Sequence, residues 1–176
     1  ILQIDGSVDT KKLYEWSDQV LLSKALGVLN YRTEVRVPFG RGKNEVDVEI
    51  FSDLSGVIVD LPEPLGKPLK KSIRNLRFRR SLGEFDYRID LSLDDNLHGS
   101  LKVENGVITG GGVHFGKDSY DVFTYDGIRL TGNLSQLDFS AWEIVAQDFA
   151  EVSNVRISDE IAPHFISADL MVERIL

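Results

Sequence analysis

Apolar and polar residues alternate one by one along the middle of the chain, a pattern typical of strands that have one apolar face. The clearest run covers 85–93, where Phe85, Tyr87, Ile89, Leu91 and Leu93 alternate with polar residues. Similar runs occur at 31–37, 46–50, 57–61, 97–103, 107–113, 127–134 and 166–172. The pattern therefore predicts a mainly β chain with eight or more strands.

Short turn signals separate most of these strands. Asp94-Asp95-Asn96, Glu104-Asn105-Gly106 and Asp126-Gly127 fall between alternating runs, and Asn-Gly or Asp-Gly in that position is a strong hairpin signal. Consecutive strands are therefore expected to pair antiparallel. The glycines at 110–112 predict a bulge or a close backbone contact. The three prolines within 62–68 predict a stiff, extended loop that leaves the sheet.

Helical spacing of apolar residues appears in only two places, at about 10–26 and about 138–150. Gly27 is the expected end of the first helix. The coarse prediction is a mostly antiparallel sheet with one apolar and one polar face, interrupted by two short helices.

The two helical segments lie in similar sequence contexts, which predicts an internal repeat. Gly6 precedes Trp16 by ten residues, as Gly132 precedes Trp142, at an offset of 126 residues. This hypothesis divides the chain into one repeat at 1–131, with its helix at about 10–26, and the start of the next at 132–176. The alternative is that two unrelated helices each use a tryptophan to cover the end of a sheet.

Composition narrows the functional classes. The chain has 20 Lys and Arg against 28 Asp and Glu, a net charge of −8, so nucleic acid is not an expected partner. The absence of cysteine excludes disulfides, cysteine nucleophiles and thiolate metal sites. No apolar run approaches the about 20 residues of a membrane span. Both ends are strand-like and the first residue is not Met, so we expect a piece of a longer protein.

No catalytic arrangement stands out. His98, His114 and His164 lack the spacing of a metalloprotease motif, and no Gly-x-Ser-x-Gly elbow occurs. The segment 111–117 matches part of a phosphate loop, but Asp118 follows where Ser or Thr should hold magnesium. An enzyme would need these histidines, Asp118 or nearby acids to converge in a pocket. We therefore predict no enzyme, no catalytic residue, no metal and no cofactor.

Although the chain as a whole is acidic, residues 67–80 are basic, and no Asp or Glu lies between Glu63 and Glu84. Guanidinium groups bind phosphate bidentately, so one interpretation is a docking patch for a phosphate headgroup or an acidic partner. The other is a solvated loop and strand face, paired with neighbouring acids. The candidate patch consists of Lys67, Lys70, Lys71, Arg74, Arg77, Arg79 and Arg80.

Two segments resemble the large AsmA-like proteins of Gram-negative bacteria, in particular the YhdP-like branch, whose relatives include TamB-like proteins. They are SDLSGVIVDLPEPLGKP at 52–68 and RLTGNLSQLDFSAW at 129–142, with GVITGGGVHF between them. The resemblance covers about 1–150, and the family has no catalytic residues to carry over. The matched positions are Asp53, Leu54, Gly56, Leu61, Pro62, Pro64, Leu65, Gly66, Lys67, Gly132, Leu134, Leu137 and Trp142.

The resemblance implies a periplasmic segment of a protein whose inner-membrane anchor lies outside this chain. Its body would be built of repeating β-groove, taco-like units, so the sheet would be curved. The apolar lining would carry phospholipid acyl chains between the inner and outer membranes, with neighbouring repeats of the parent chain as the other partner. The alternative is a structural or protein-interaction module of the cell envelope with a closed, dry core. The predicted groove residues are Val35, Val37, Val46, Val48, Ile50, Phe85, Tyr87, Ile89, Leu91, Leu101 and Val103.

Overall fold

The computed structural model describes residues 1–17, 20–37, 46–82, 87–105, 107–117, 127–153 and 165–176. The described helices are α1 (Thr10–Ser17) and α2 (Phe139–Ser153), and a 3₁₀ turn at Val20–Lys24 precedes the second strand. The strands are β1 (Leu2–Asp9), β2 (Ala25–Arg36), β3 (Val46–Ser52), β4 (Val57–Val59), β5 (Leu76–Leu82), β6 (Tyr87–Leu93), β7 (Leu97–Glu104), β8 (Val107–Phe115), β9 (Gly127–Leu134) and β10 (Phe165–Val172).

The long strands form one open sheet in the order β1-β2-β3-β5-β6-β7-β8-β9-β10, and the short β4 pairs with β2. Neighbours are antiparallel from β1 to β8, whereas β9 is parallel to both β8 and β10. The predicted fold, a mainly β, curved, mostly antiparallel sheet with two short helices, is confirmed. The expectation that consecutive strands pair antiparallel is wrong for β8 and β9, and the turn predicted at Asp126-Gly127 lies partly outside the described residues.

Strand register gives the sheet one apolar and one polar face. A cross-strand row of the apolar face contains Ile50, Phe78, Leu91, Gly99 and Val113. Because side chains alternate between faces along a strand, the residues between these positions point to the opposite, polar face. The one-by-one alternation of the sequence thus predicts the two faces correctly.

The main buried cluster lies at one end of the apolar face, under the segment 53–74, which we call the cap. Leu54 of the cap packs against Leu93 and Leu97, which flank the turn between β6 and β7. A bridge between Val59 and Lys67 folds the cap back on itself. The proline-rich segment therefore forms a closed turn rather than the predicted extended loop. Partly buried residues around the cluster are Leu29, Leu65, Leu76, Val113 and Phe115.

The first helix is shorter than predicted, since α1 ends at Ser17 and β2 begins at Ala25. The buried Thr10 hydroxyl donates to the Ala25 carbonyl at 2.8 Å and accepts from the Gly27 amide at 3.0 Å, which holds β2 against the start of α1. Gly27 does not end a helix. It lies in β2 with φ of +138°, where an added Cβ would be 2.1 Å from the Gly56 carbonyl oxygen.

The second helix agrees with the prediction at about 138–150. Asp138 caps it, because its Oδ1 accepts from the Ala141 amide at 2.9 Å. Trp142 donates its indole N–H to the Glu63 carbonyl of the cap at 3.0 Å, whereas Trp16 on α1 is 84% exposed. The two helices lead into different pairings: β2, after α1, is antiparallel to β1, whereas β10, after α2, is parallel to β9. The division into repeats at 1–131 and 132–176 stays a prediction.

The glycine trio at 110–112 lies in β8, where pairing with β7 shifts register after Lys102. Gly111 has φ of +150°, and an added Cβ would lie 2.3 Å from the Ser100 carbonyl oxygen. The predicted bulge and close backbone contact are both present. Since 111–115 is extended strand, this segment does not form a phosphate loop.

We predict that Gly111→Ala destabilises the chain by about 1–3 kcal/mol, because the alanine would occupy a strained φ and contact the β7 backbone. Gly99→Ala on the neighbouring strand is the matched control, since its Cβ would meet nothing closer than Val113 Cγ2 at 3.8 Å. We expect the control to leave stability unchanged or to raise it by up to about 1 kcal/mol. Urea unfolding measures both variants, and equal losses would contradict the assigned close contact.

Candidate functional site

The predicted groove residues in the described part of the chain share the apolar face. Their exposure varies along it: Val103 is buried, whereas Leu91 is 37% and Val37 is 52% exposed. Phe85 lies outside the described residues. A role in lining a lipid groove stays a prediction. By register and alternation the residues on this face are Val35, Val37, Val46, Val48, Ile50, Tyr87, Ile89, Leu91, Leu101 and Val103.

Lys67 fixes the cap from inside. The side chain is 1% exposed, and its ammonium group donates to the carbonyls of Val57 at 2.7 Å, Leu69 at 2.7 Å and Lys70 at 3.3 Å. These three bonds use all the donors that an ammonium group has. Burial lowers the pKa of Lys67, partly opposed by the charge of Asp53. The prediction that Lys67 belongs to a surface patch is therefore wrong.

Arg74 fixes the other side of the cap. Its Nη1 donates to the Pro64 carbonyl at 2.7 Å and the Gly66 carbonyl at 3.0 Å, and its Nε donates to Asp94 Oδ2 at 2.9 Å. Asp94 lies in the turn between β6 and β7, so Arg74 joins the cap to the strands beneath it. The motif at 52–68 thus builds a fixed cover over one end of the apolar face.

The rest of the basic run is divided between surfaces. Residues 76–82 form β5, a strand that the alternation did not predict. Arg77 and Arg79 lie on the polar face, whereas Arg80 lies on the apolar face with its Cζ 3.9 Å from the centre of the Tyr87 ring. Lys70 and Lys71 are exposed on the cap. The seven predicted cations therefore do not form one docking patch.

Ion pairs connect neighbouring strands across the polar face. Glu49 is 1% exposed and contacts the guanidinium groups of Arg77 and Arg36, the latter at 3.1 Å. Asp47 accepts from the Ser81 hydroxyl at 2.7 Å and from Arg79 at 2.9 Å. These contacts, the Ser81 hydrogen bond above all, lower the pKa of Asp47. For Arg77 and Arg79, the interpretation as a strand face paired with acids is the correct one.

The histidines do not assemble a catalytic group among the described residues. His98 and His114 lie opposite each other on β7 and β8, and the buried His114 has Nδ1 3.0 Å from the Thr131 hydroxyl. His164 and Asp118 lie outside the described residues. In the same ranges, no three His, Asp or Glu side chains converge as metal ligands. A hollow of about 900 Å³ opens beside the polar face, where Asp5 and Arg32 already pair at 2.9 Å.

The comparison with known families decides what kind of protein this is. A family model described as YhdP protein matches residues 1–175. The chain belongs to the YhdP family. This confirms the resemblance seen at 52–68 and 129–142 and identifies the chain as an AsmA-like envelope protein. No curated protein and no solved structure gives a significant match.

None of the helices in the described ranges combines the length and the apolar character needed to cross a bilayer.

We predict that Lys67→Met lowers the free energy of unfolding by about 1–3 kcal/mol, because the buried Val57 carbonyl loses the ammonium group as its donor. Lys70→Met is the control, since it makes the same chemical change at an exposed neighbour and should cost less than about 0.5 kcal/mol. Chemical unfolding of both variants measures the difference. Equal losses would contradict the role of the ammonium group within the cap.

The same variants test the pKa of Lys67. Its pKa in the folded chain lies below that of an unfolded lysine, so over part of the alkaline range the unfolded chain binds the extra proton. Stability that depends on Lys67 therefore rises with pH up to about 10.4, the ordinary lysine pKa. The stability difference between wild type and Lys67→Met should grow between neutral pH and that value. A difference that shrinks would show that the pKa is not lowered.

Proposed function

We propose that this YhdP-family chain is a periplasmic segment that forms part of an apolar groove for phospholipid transport between the inner and outer membranes. The observation that carries this proposal is the apolar sheet face, which the cap covers at one end only. In a β-sandwich, a second sheet would bury such a face. In the described part of the chain, the buried hydrophobic residues are few: Leu54, Val57, Leu93, Leu97, Val103, Leu134 and Val145.

Lipid transport along this face would require the burial of apolar surface and no catalysed reaction. Acyl chains would replace water on the apolar side chains, a transfer worth about 25 cal/mol per Å² of apolar surface. The seven residues of β6 extend over about 24 Å, whereas the acyl chains of one leaflet occupy about 15 Å of bilayer thickness. A strand is thus long enough to cover an acyl chain. We propose no catalytic residue, cofactor or metal for this process.

Acyl chains could pass from one strand to the next because most side chains on the apolar face are aliphatic. Val35, Val48, Ile89 and Leu101 belong to one cross-strand row, with about 4.8 Å between neighbouring strands and with Arg80 of β5 between Val48 and Ile89. Aliphatic contacts are non-directional, so on either side of Arg80 a lipid moving along this row would lose and gain comparable interactions. Neighbouring repeats of the parent protein would continue the row.

Site-specific photo-crosslinking in the full-length parent protein in living cells tests this proposal. We expect phospholipid adducts from probes at Val37 and Leu91, which are exposed on the apolar face. Probes at Val28 and Arg88 should give none. Val28 is the matched control, because it is an aliphatic residue of β2 that is 48% exposed on the opposite face. Mass spectrometry of the adducts identifies the lipid.

Two results would count against transport by this face. Equal lipid yields at Val28 and Leu91 would show contact with lipid that does not depend on the apolar face. Protein adducts at Val37 and Leu91 in place of lipid would favour the interaction module, with another polypeptide as the cover.

A further inference from the structure

We propose that Arg80, supported by the ring of Tyr87, is a phosphate-binding site within the apolar face. It would hold the headgroup phosphate of a phospholipid while the acyl chains lie on the aliphatic side chains around it. This inference rests on the proposed groove and adds to it a defined position and a required headgroup chemistry.

Arg80 is a charged residue between apolar neighbours in its cross-strand row. Its partners in register are Val48 on β3 and Ile89 on β6. Among the paired strand residues that the structure describes, register makes Arg80 the one charged side chain on the apolar face. A charge in such surroundings is costly unless it is paired. An anion that arrives with its own apolar chains would satisfy both the charge and the surroundings.

The guanidinium group of Arg80 lacks the partners that its neighbours have. Arg77 and Arg79 on the same strand pair with Glu49 and Asp47 on the polar face. The Nε of Arg80, in contrast, is buried and makes no hydrogen bond. No ion pair in the described part of the chain involves it. Among the described residues, its interaction is the stack on Tyr87.

This stack orients the group for an oxyanion. With Cζ 3.9 Å from the ring centre, the guanidinium lies over the face of Tyr87, and because stacking uses this face, the edge formed by the two Nη groups could still donate. That edge matches the geometry of phosphate oxygens and can donate two parallel hydrogen bonds. A lysine at this position would supply a charge but not this planar geometry.

The surroundings favour a phospholipid over a free phosphate ion. Leu76, under the cap, is four residues from Arg80 along β5, a distance of about 13 Å. Phe78, Ile50 and Leu91 occupy the apolar face between them. A phospholipid bound at Arg80 could lay its chains on this surface towards the cap. Inorganic phosphate would use the guanidinium alone and leave the apolar surface in water.

Calorimetric titration of the 176-residue chain tests the inference. The probes are dihexanoylphosphatidylglycerol, dihexanoylglycerol, which has the same chains without the phosphate, and inorganic phosphate. We expect Arg80→Leu to weaken dihexanoylphosphatidylglycerol binding about tenfold or more, the size of a lost charged hydrogen bond. Binding of dihexanoylglycerol should be unchanged, and Arg80→Lys should lie between. Arg88→Leu, an exposed arginine on the polar face, is the control and should match wild type.

Each outcome has a distinct meaning. Equal effects of Arg80→Leu on the two lipids, or none on either, would overturn the phosphate site while leaving the groove intact. Inorganic phosphate that binds as tightly as the phospholipid and depends on Arg80 would overturn the headgroup assignment in favour of a free anion. If wild type binds neither lipid, the proposed groove itself fails. If Arg80→Leu does not fold, Arg80→Gln replaces it, since the amide keeps polarity without the charge.

Discussion

An apolar sheet face has to be removed from water, and in this chain that requirement determines the remaining structure. In the described part of the chain the sheet is a single layer, and no second sheet covers the face there. The cap supplies Leu54 and Leu65 over one end, where Leu93 and Leu97 are buried. Beyond that end, Val37, Leu82 and Leu91 keep a third or more of their surface exposed. Stability and function are therefore linked, because any ligand that binds only the folded face also stabilises it.

The cap is held largely by polar contacts, which its position explains. Some of its apolar residues, Leu69 and Ile73 among them, are exposed, so dispersion and burial alone would fix it weakly. Lys67 and Arg74 instead donate to backbone carbonyls of the cap, among them those of Val57 and Pro64. Gly66 is required for the same closed turn, because an added Cβ would lie 2.1 Å from the Leu61 carbonyl. The family motif at 52–68 is in this sense the set of residues that closes the cap.

Much of this architecture follows from local sequence rules. Alternation predicts which side chains share a face, because a strand has a period of two and the register leaves little freedom. Where these local rules predict the wrong structure, contacts between residues far apart in the sequence are the cause. The helical spacing near Leu21 is overridden by the hydrogen bond between Thr10 and Gly27 and by the close packing of Gly27 on Gly56.

The candidate site was only partly predictable for a related reason. β5 was missed because charges occupy both of its faces, with Arg79 on one and Arg80 on the other. Spacing within a basic run cannot tell a paired arginine from an unpaired one, since the acids that pair with Arg77 and Arg79 come from β3, about thirty residues earlier. Lys67 gave no signal of burial, because its acceptors are backbone carbonyls that any sequence supplies.

The polar face explains how a groove could keep its shape when nothing occupies it. Single exposed ion pairs add little to stability, but Glu49 is buried between Arg36 of β2 and Arg77 of β5 and so connects three adjacent strands. Asp47 joins β3 to β5 through Ser81 and Arg79 in the same way. These contacts favour one register without using any apolar side chain. In the proposed groove, the apolar face could then exchange bound lipid, because the strands beneath it are aligned from the other side.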